Sequence, residues 1–244
     1  MSAIADLRTI ARLALSSKRG DTHAERLENF YAGQASQYDE FRKKLLHGRE
    51  AALSNLTLPP DARVVDIGGG TGNNLDALSA AQLSAVANWD LIDLCPSLLE
   101  IAEQKIEQRS LSFAKTLQAD ACSWQPAQPA DVVLFSYSAT MIPDWLGAFE
   151  NAFNMLKPGG KIVVVDFYVA RKFPTGDANH GTFTRHFWPL WFSWDNVFIN
   201  QDHLPWLQDR YQTIKLHESF GALPYLRFVK VPYYYFVGEK PGAS

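Results

Sequence analysis

Cysteine is scarce in this chain of 244 residues, which contains only Cys95 and Cys122. Neither has partners at a usual metal-ligand spacing, and we expect two reduced thiols, as in the cytoplasm, rather than a disulfide. Long apolar runs are also absent, because no uncharged stretch approaches the roughly 18 residues that span a bilayer. The N-terminus lacks the continuous apolar segment of a secretory signal. The sequence therefore predicts a cytoplasmic protein without a membrane-spanning helix.

A strong charge of either sign is missing as well. The formal net charge is −3 and the isoelectric point is about 6.1, so nothing indicates the basic face that nucleic-acid binding requires. Apolar residues make up 47% of the chain, which is enough for one large core. We predict an N-terminal amphipathic helix in residues 1–20 and a single domain in residues 21–244, with no nucleic-acid partner.

A glycine-rich turn follows a predicted buried strand. The strand Val64–Ile67 includes Asp66 and runs into Gly68, Gly70 and Gly72. Glycine lets the backbone approach a ligand and reaches positive φ without strain. Dinucleotide sites use the different spacing G-x-G-x-x-G. The G-x-G-x-G pattern after an acid resembles motif I of the class I S-adenosylmethionine-dependent methyltransferases; an ordinary glycine-rich turn is the alternative.

Two further strand ends carry acids. Asp93 ends the predicted strand Leu91–Leu94, and Asp120 with Ala121 follows Leu117. At the carboxyl edge of a parallel sheet an acid can accept two hydrogen bonds from ribose hydroxyls. The resemblance implies S-adenosylmethionine as the cofactor, with Asp66, Gly68 and Gly70 at the turn. It implies that Asp93 and Leu94 lie at the ribose and that Asp120 and Ala121 lie near the adenine.

Strands and helices alternate along the middle of the chain, as in a parallel sheet with helices on both faces. Strands are predicted at Val64–Ile67, Leu91–Leu94, Asp131–Ser136 and Ile162–Phe167, and helices at about Asn73–Ala81 and Pro96–Gln108. The resemblance implies an α/β, Rossmann-like class I methyltransferase fold with a mostly parallel seven-stranded sheet. Its C-terminal antiparallel pair would be the runs Tyr225–Lys230 and Tyr233–Glu239.

The loop after the fourth strand contains Ser136, Tyr137 and Ser138. Ligands bind outside the carboxyl ends of the strands in such sheets, so this loop should face the reacting methyl group. We predict that Ser136 contacts the cofactor, Tyr137 is catalytic and Ser138 contacts the substrate. Alternatively, the serines only cap the next helix.

The segment before the first strand offers two tyrosines. Tyr38, followed by an aspartate, resembles the segment that folds over the methionine end of the cofactor, and Tyr31 could then line the substrate side. Ordinary helix packing is the alternative for both. His47 and Arg49 are candidates for the cofactor carboxylate. Residues 3–17 form a cationic amphipathic pattern, which suits either an anionic membrane surface or packing on the domain.

An aromatic-rich segment extends over about residues 170–208. It contains four of the seven tryptophans, and Trp188 and Trp191 are predicted substrate contacts. Such density suits a substrate lid for a lipid-like molecule or a membrane interface. A second hydrophobic core under a long insertion is the alternative.

The same segment supplies candidates for acid–base chemistry. His180 and His186 could remove a proton from a substrate ammonium group, as could a tyrosine or solvent. Arg185 could bind a substrate carboxylate as a bidentate fork. The spacing of His180, His186 and His203 matches no compact metal-ligand motif, so no metal is predicted.

Several segments outside motif I are similar to the diacylglycerylhomoserine N-methyltransferases of betaine-lipid synthesis. They are His23–Leu27 with Phe30-Tyr31, Leu46–Glu50, Val165–Tyr168, Phe187–Phe192 and Asp202–Pro205. The resemblance covers about residue 22 to the end and implies trimethylation of the homoserine amine of a diacylglyceryl lipid. It implies a lipid substrate, a peripheral contact with the inner face of the membrane, and the enzyme that makes diacylglycerylhomoserine as a partner.

Two other functions stay open. One is methyl transfer to another amphiphile, such as a quinone or a phospholipid amine. The other is a cofactor-binding module without catalysis, whose aromatic lid binds a partner.

Overall fold

A seven-stranded sheet runs through the protein in the order β3-β2-β1-β4-β5-β7-β6. Strands β1 to β5 are parallel, whereas β7 is antiparallel to both β5 and β6. The strands are β1 (Ala62–Ile67), β2 (Val86–Asp93), β3 (Ala114–Gln118), β4 (Ala130–Ser136), β5 (Leu156–Phe167), β6 (Gln212–Leu223) and β7 (Leu226–Glu239). The predicted fold class is confirmed.

The computed structural model describes residues 21–31, 45–54, 56–174, 178–193, 196–223 and 226–242. The predicted helix in residues 1–20 and Tyr38 lie outside these ranges, as does the side chain of Tyr31. The helices are α1 (His23–Tyr31), α2 (Arg49–Ser54), α3 (Asn73–Asp76), α4 (Ala80–Ser84), α5 (Pro96–Gln108), α6 (Trp145–Met155), α7 (Thr182–Ser193) and α8 (His203–Arg210), with a 3₁₀ turn at Ala139–Met141.

The central strand β4 shows why the sheet is covered on both faces. All seven of its residues are buried. Successive side chains of a strand point to opposite faces, and accordingly Val132 and Leu134 belong to one hydrophobic cluster and Val133 and Phe135 to the other. The nearly continuous apolar run that predicts a buried parallel strand is therefore the sequence signature of a two-sided core.

The C-terminal antiparallel pair differs from the prediction. The two predicted runs are parts of one strand, β7, which continues through Pro232. Its partner is β6, which the sequence analysis missed. Strand β6 lies at the edge of the sheet, and its first four residues are exposed. A half-exposed edge strand needs few apolar residues, so its sequence carries little strand signal.

The predicted helix at about Asn73–Ala81 is two short helices, α3 and α4. Helix α4 begins with a capping box, in which the Ser79 side chain accepts the N–H of Gln82 and the Gln82 side chain accepts the N–H of Ser79. This Ser-x-x-Gln pattern is a helix-start signal that was available in the sequence. The helix predicted at Pro96–Gln108 is confirmed with the same bounds.

Cys95 and Cys122 are free thiols, as predicted. Among the helices in the described ranges, none is long and apolar enough to cross a membrane.

Candidate functional site

A cavity of about 400 Å³ lies at the carboxyl ends of β1, β2 and β4. Strand order reverses between β1 and β4, which is where open α/β sheets bind their ligands. The described residues that line the cavity are Ala24, Leu27, Gly68, Gly70, Ile92, Asp93, Leu94, Leu98, Ala119, Asp120, Ala121, Cys122, Tyr137, Ser138, Met141, Ile142, Pro143 and Asp144. Eight of the predicted site residues are therefore brought together.

The glycine turn after β1 brings backbone to the cavity. Gly68 and Gly70 have φ angles of +62° and +54°. A Cβ on Gly68 would lie 2.5 Å from the Cβ of Ser138, so this position has no room for a side chain. A Cβ on Gly70 would have Leu98 Cδ1 as its nearest neighbour, at 3.9 Å, and the space beyond belongs to the cavity. A ligand can therefore approach the backbone closely at Gly70.

Asp93 is held in a fixed orientation at the end of β2. Its Oδ2 accepts the N–H of Gly70 and its Oδ1 accepts the N–H of Cys95, both at 2.9 Å. The carboxylate thus joins the glycine turn to the start of α5. This places an oriented acceptor in the cavity wall, as ribose binding requires.

Asp120 and Cys122 form the wall at the end of β3. The Oδ1 of Asp120 accepts the N–H of Cys122 at 2.8 Å, so the carboxylate organises its own turn. Burial, followed by the nearby charges of Asp120 and Asp144, raises the pKa of the Cys122 thiol to about 11. The thiol is therefore protonated at neutral pH and forms an uncharged part of the cavity wall.

Helix α1 covers the cavity from the side of α5. It begins at a capping box in which Thr22 Oγ1 accepts the N–H of Glu25 and Glu25 Oε2 accepts the N–H of Thr22. Farther along α1, Glu28 accepts hydrogen bonds from the N–H and hydroxyl of Ser97 and from the thiol of Cys95. A carboxylate at the N-terminus of α5 also interacts favourably with the helix dipole. These contacts place Ala24 and Leu27 in the cavity wall.

The loop after β4 is held by two hydrogen bonds, one buried and one partly buried. Ser138 Oγ donates to the carbonyl of Ile67 at 2.6 Å, and the hydroxyl of Tyr137 donates to the carbonyl of His47 at 2.5 Å. Tyr137 has a φ of +56°, a conformation that costs a non-glycine residue free energy. The predicted site residues Tyr137 and Ser138 thus lie in the wall, with their hydroxyls donated to backbone carbonyls.

Asp166 on β5 fixes the 3₁₀ turn that follows this loop. Its side chain is fully buried and accepts hydrogen bonds from Thr140 Oγ1 at 2.7 Å, Thr140 N–H at 3.1 Å and Phe167 N–H at 2.8 Å. Burial raises the pKa of Asp166 to about 6. Since Met141 of this turn lines the cavity, Asp166 positions part of the wall without being in it.

Asp66 and Ser136 lie behind the cavity wall rather than in it. The carboxylate of Asp66 is fully buried, and its Oδ1 accepts the amide N–H of Asn74 at 2.9 Å. Arg49 donates from Nε to Ser136 Oγ at 3.0 Å, and its charge partly offsets the burial that raises the pKa of Asp66 to about 7. The guanidinium of Arg49 therefore lies close to the ends of both β1 and β4.

The stability of the protein should depend on pH through Asp66. Its folded-state pKa is raised from 3.8 to about 7, so between those values the folded state binds more protons than the unfolded state, and the free energy of unfolding falls as pH rises. Asp66→Asn cannot titrate. As pH rises between these two pKa values, the free energy of unfolding of wild type should therefore fall, relative to that of this variant, by up to about 1.4 kcal/mol for each pH unit.

Urea unfolding of both proteins across this pH range measures the effect. Asp166, with a raised pKa, and His203, with a pKa lowered to about 4 by burial, titrate in the same range. Both groups titrate in wild type and in the variant, so their contributions cancel when the two free energies of unfolding are subtracted. A difference that stays constant with pH would contradict the raised pKa of Asp66.

The other predicted site residues lie outside the described cavity wall. His180 is buried and its Nδ1 accepts the N–H of Ala170 at 2.9 Å; burial lowers its pKa. Arg185 and His186 are on α7, where Arg185 donates to Thr182 Oγ1 at 3.3 Å and His186 is exposed. Trp188 is buried and Trp191 is half-exposed. Their assigned roles stay predictions.

The aromatic helix α7 nevertheless adjoins the site. The ring of Phe192 lies 4.9 Å from that of Phe167, which in turn lies 4.7 Å from that of Tyr137. The chain beyond α7 also contacts the 3₁₀ turn that carries Met141, because the N–H of Phe198 donates to the carbonyl of Thr140 at 2.7 Å. The segment predicted as a lid therefore packs against the loop after β4.

Sequence reasoning missed several residues of the site. Leu27 and Leu98 carry no signal that separates a cavity-lining apolar residue from a core residue. Glu28 gave no sequence signal either, because its hydrogen-bond partners lie about 70 residues away along the chain. For Asp166 a signal existed, since an acid inside the apolar run Val163–Phe167 predicts a buried, hydrogen-bonded carboxylate.

Comparisons with known proteins agree with this geometry. The family description "Methyltransferase domain" matches residues 38–226. The chain is 28% identical over 133 residues to the trans-aconitate 2-methyltransferase of Rhizobium leguminosarum bv. trifolii, covering 54% of this chain and 49% of that protein. It is 23% identical over 154 residues to the ubiquinone/menaquinone biosynthesis C-methyltransferase UbiE of Geotalea daltonii, covering 60% and 65%. The chain thus spans about half to two thirds of the length of these relatives.

A solved structure shows the same fold with the cofactor. Phosphoethanolamine N-methyltransferase 2 of Haemonchus contortus, in complex with S-adenosyl-L-methionine, aligns with a TM-score of 0.66 at 14% identity, over 92% of this chain and 61% of that one. The open backbone at Gly70 and the oriented carboxylate of Asp93 fit this cofactor. With the family domain matching most of its length, the chain belongs to the class I S-adenosylmethionine-dependent methyltransferases.

Proposed function

We propose that this protein transfers methyl groups to the amine of diacylglycerylhomoserine and produces the trimethylated betaine lipid. The observation that carries the proposal is the aromatic helix α7, whose Phe192 is joined through Phe167 to Tyr137 of the cavity wall. An apolar helix next to the Tyr137 side of the cavity suits an acceptor that carries acyl chains. The apolar wall residues Leu27, Met141 and Ile142 support the same class of acceptor.

The cofactor supplies an electrophilic methyl group on its sulfonium when bound. The glycine turn would approach it at Gly70, Asp93 would bind its ribose, and Asp120 would lie near its adenine. Arg49, at the ends of β1 and β4, would bind its carboxylate. The contribution of the chain is then to hold the acceptor amine in line, and alignment alone can supply up to roughly 7–11 kcal/mol in good intramolecular reactions.

The acceptor amine must be neutral to react. While Nδ1 of His180 accepts the N–H of Ala170, a neutral ring carries its proton on Nε2 and has no free lone pair for another. We therefore assign proton removal to solvent or to exposed His186, not to His180. After each transfer the ammonium is cationic, and a nearby aromatic face would stabilise it by about 0.5–2 kcal/mol. Arg185 would bind the homoserine carboxylate as a fork.

A quinone is the second candidate acceptor, because several relatives are named ubiquinone/menaquinone C-methyltransferases. An aromatic lid would suit a prenylated ring as well as acyl chains. The two acceptors differ in the polar group that must be recognised, since diacylglycerylhomoserine presents an amine and a carboxylate and a quinol presents hydroxyls.

The deciding experiment offers purified acceptors with methyl-labelled S-adenosylmethionine in detergent micelles. The acceptors are diacylglycerylhomoserine, phosphatidylethanolamine and demethylmenaquinol, the reduced form of demethylmenaquinone, and products are identified by mass. We expect one, two and three added methyl groups on diacylglycerylhomoserine. Because a valine side chain at Gly70 would project into the cavity, Gly70→Val is the matched control and should transfer no label.

Other outcomes assign other functions. Label on demethylmenaquinol alone would replace the proposal with C-methylation of a quinol. Label on phosphatidylethanolamine as well as on diacylglycerylhomoserine would show that the carboxylate is not recognised. Cofactor binding without label on any acceptor, including a total lipid extract, would indicate a binding module without catalysis.

A further inference from the structure

Helix α5 begins at an unusual N-cap. The N-cap residue is Cys95, whose thiol is only a weak acceptor, and Pro96 follows it in the first turn. Serine, threonine, aspartate and asparagine are the usual N-caps, because their side-chain oxygens accept N–H groups that no helical carbonyl reaches. At α5 such an oxygen comes from Glu28 of α1, whose Oε2 accepts the N–H of Ser97 at 3.3 Å. A residue that lies 69 positions earlier in the chain than Ser97 therefore caps α5.

The same oxygen of Glu28 joins α1 to α5 through two further hydrogen bonds. Oε2 also accepts the thiol of Cys95 at 3.0 Å and the hydroxyl of Ser97 at 3.2 Å. Hydrogen bonds to a carboxylate are stronger than those between neutral groups. Cys95 is fully buried and Glu28 is half-buried, so water competes little for these donors. Three donors at the start of α5 thus converge on a single atom of α1.

This junction is connected to the cavity from both helices. On the α5 side, the N–H of Cys95 donates to Asp93 Oδ1, and Asp93 Oδ2 accepts the N–H of Gly70 in the glycine turn. On the α1 side, Leu27 precedes Glu28 in the chain and lines the cavity. Glu28 itself is outside the described cavity wall. Any effect of Glu28 on a ligand therefore passes through the residues that it holds in place.

We propose that Glu28 is a positioning residue that couples the docking of α1 to the binding of the cofactor. Docked α1 caps α5, steadies the turn between β2 and α5 that holds Asp93, and covers the cavity with Leu27. Coupling between two equilibria is reciprocal, so a bound cofactor holds α1 in place as strongly as docked α1 holds the cofactor. The inference rests on the cofactor placement of the proposed function, and it holds whichever acceptor is methylated.

Binding kinetics of S-adenosylhomocysteine, the demethylated cofactor, test the coupling without any acceptor. Glu28→Ala should raise the dissociation rate at least about fivefold, because the cover over the bound ligand loses its attachment. Glu28→Gln keeps the shape and one acceptor oxygen, so it should recover part of the effect and guards against a folding defect in Glu28→Ala. The matched control is Glu25→Gln on the same helix, where glutamine also completes the capping box with Thr22. This control should release the ligand like wild type.

Hydrogen–deuterium exchange of α1 is the second readout, because a merely structural role would not make it depend on the ligand. S-adenosylhomocysteine should slow amide exchange in residues 23–31 of wild type and of Glu25→Gln, and should slow it much less in Glu28→Ala. The proposal is overturned if Glu28→Ala releases the ligand at the wild-type rate or if its α1 is protected as in wild type. Should Gly70→Val bind no ligand in that case, the cofactor placement stands and only the coupling fails. If Gly70→Val and Glu28→Ala both bind like wild type, the placement and the coupling fail together.

Discussion

Replacing Asp93 with alanine should weaken binding of S-adenosylmethionine by about tenfold to a hundredfold, because hydrogen bonds to a charged group contribute about 1.5–3 kcal/mol. Asp93 lies in the cavity wall at the end of β2, and the N–H groups of Gly70 and Cys95 hold its carboxylate in place. The substitution removes the proposed ribose acceptor and loosens the glycine turn as well. Isothermal titration calorimetry measures the affinity.

Two further variants separate these causes. Asp93→Asn keeps one acceptor oxygen and should lose less affinity than Asp93→Ala. Asp76→Ala removes an exposed carboxylate that pairs with Lys105 and Arg109 outside the cavity wall, so its cofactor affinity should equal that of wild type. Wild-type affinity in a folded Asp93→Ala protein would show that Asp93 does not hold the ribose.

Among the substitutions, Asp166→Ala should cost the most stability, at about 3 kcal/mol in the free energy of unfolding, since each buried group left unpaired costs about 1–3 kcal/mol. The substitution leaves the N–H groups of Thr140 and Phe167 and the hydroxyl of Thr140 without their acceptor in a fully buried environment. The turn that carries Met141 should loosen too, so cofactor affinity should also fall. Urea unfolding at neutral pH measures the change in stability.

Thr140→Val tests the same network from its other side. It removes one hydrogen bond at nearly constant shape and should cost about 1 kcal/mol. In a double-mutant cycle the two substitutions should be less than additive, because they share a hydrogen bond. An Asp166→Ala protein as stable as wild type would show that the turn is held by packing alone.

The parts of the fold and site that could be predicted from sequence are those that depend on neighbouring residues. The turn at Gly68 and Gly70 and the strand-end acids Asp93 and Asp120 are local patterns, and parallel strands necessarily bring their carboxyl ends to one edge. The position of α5 followed from Pro96 at its start and the apolar spacing behind it. Edge strand β6 was missed because half-exposure leaves little periodicity to read.

The order of chemical groups along the chain can be read from the sequence: a glycine turn, two strand-end acids, a loop with a tyrosine and an aromatic segment. Which of these residues meet depends on the folded arrangement. It brought Glu28 to the start of α5 and Arg49 to Ser136, and it placed His180 and Arg185 outside the described cavity wall. It also turned one aromatic stripe of α7 to the core and the other outward. Spacing along a helix determines which residues share a face, but the direction of that face depends on packing against distant strands.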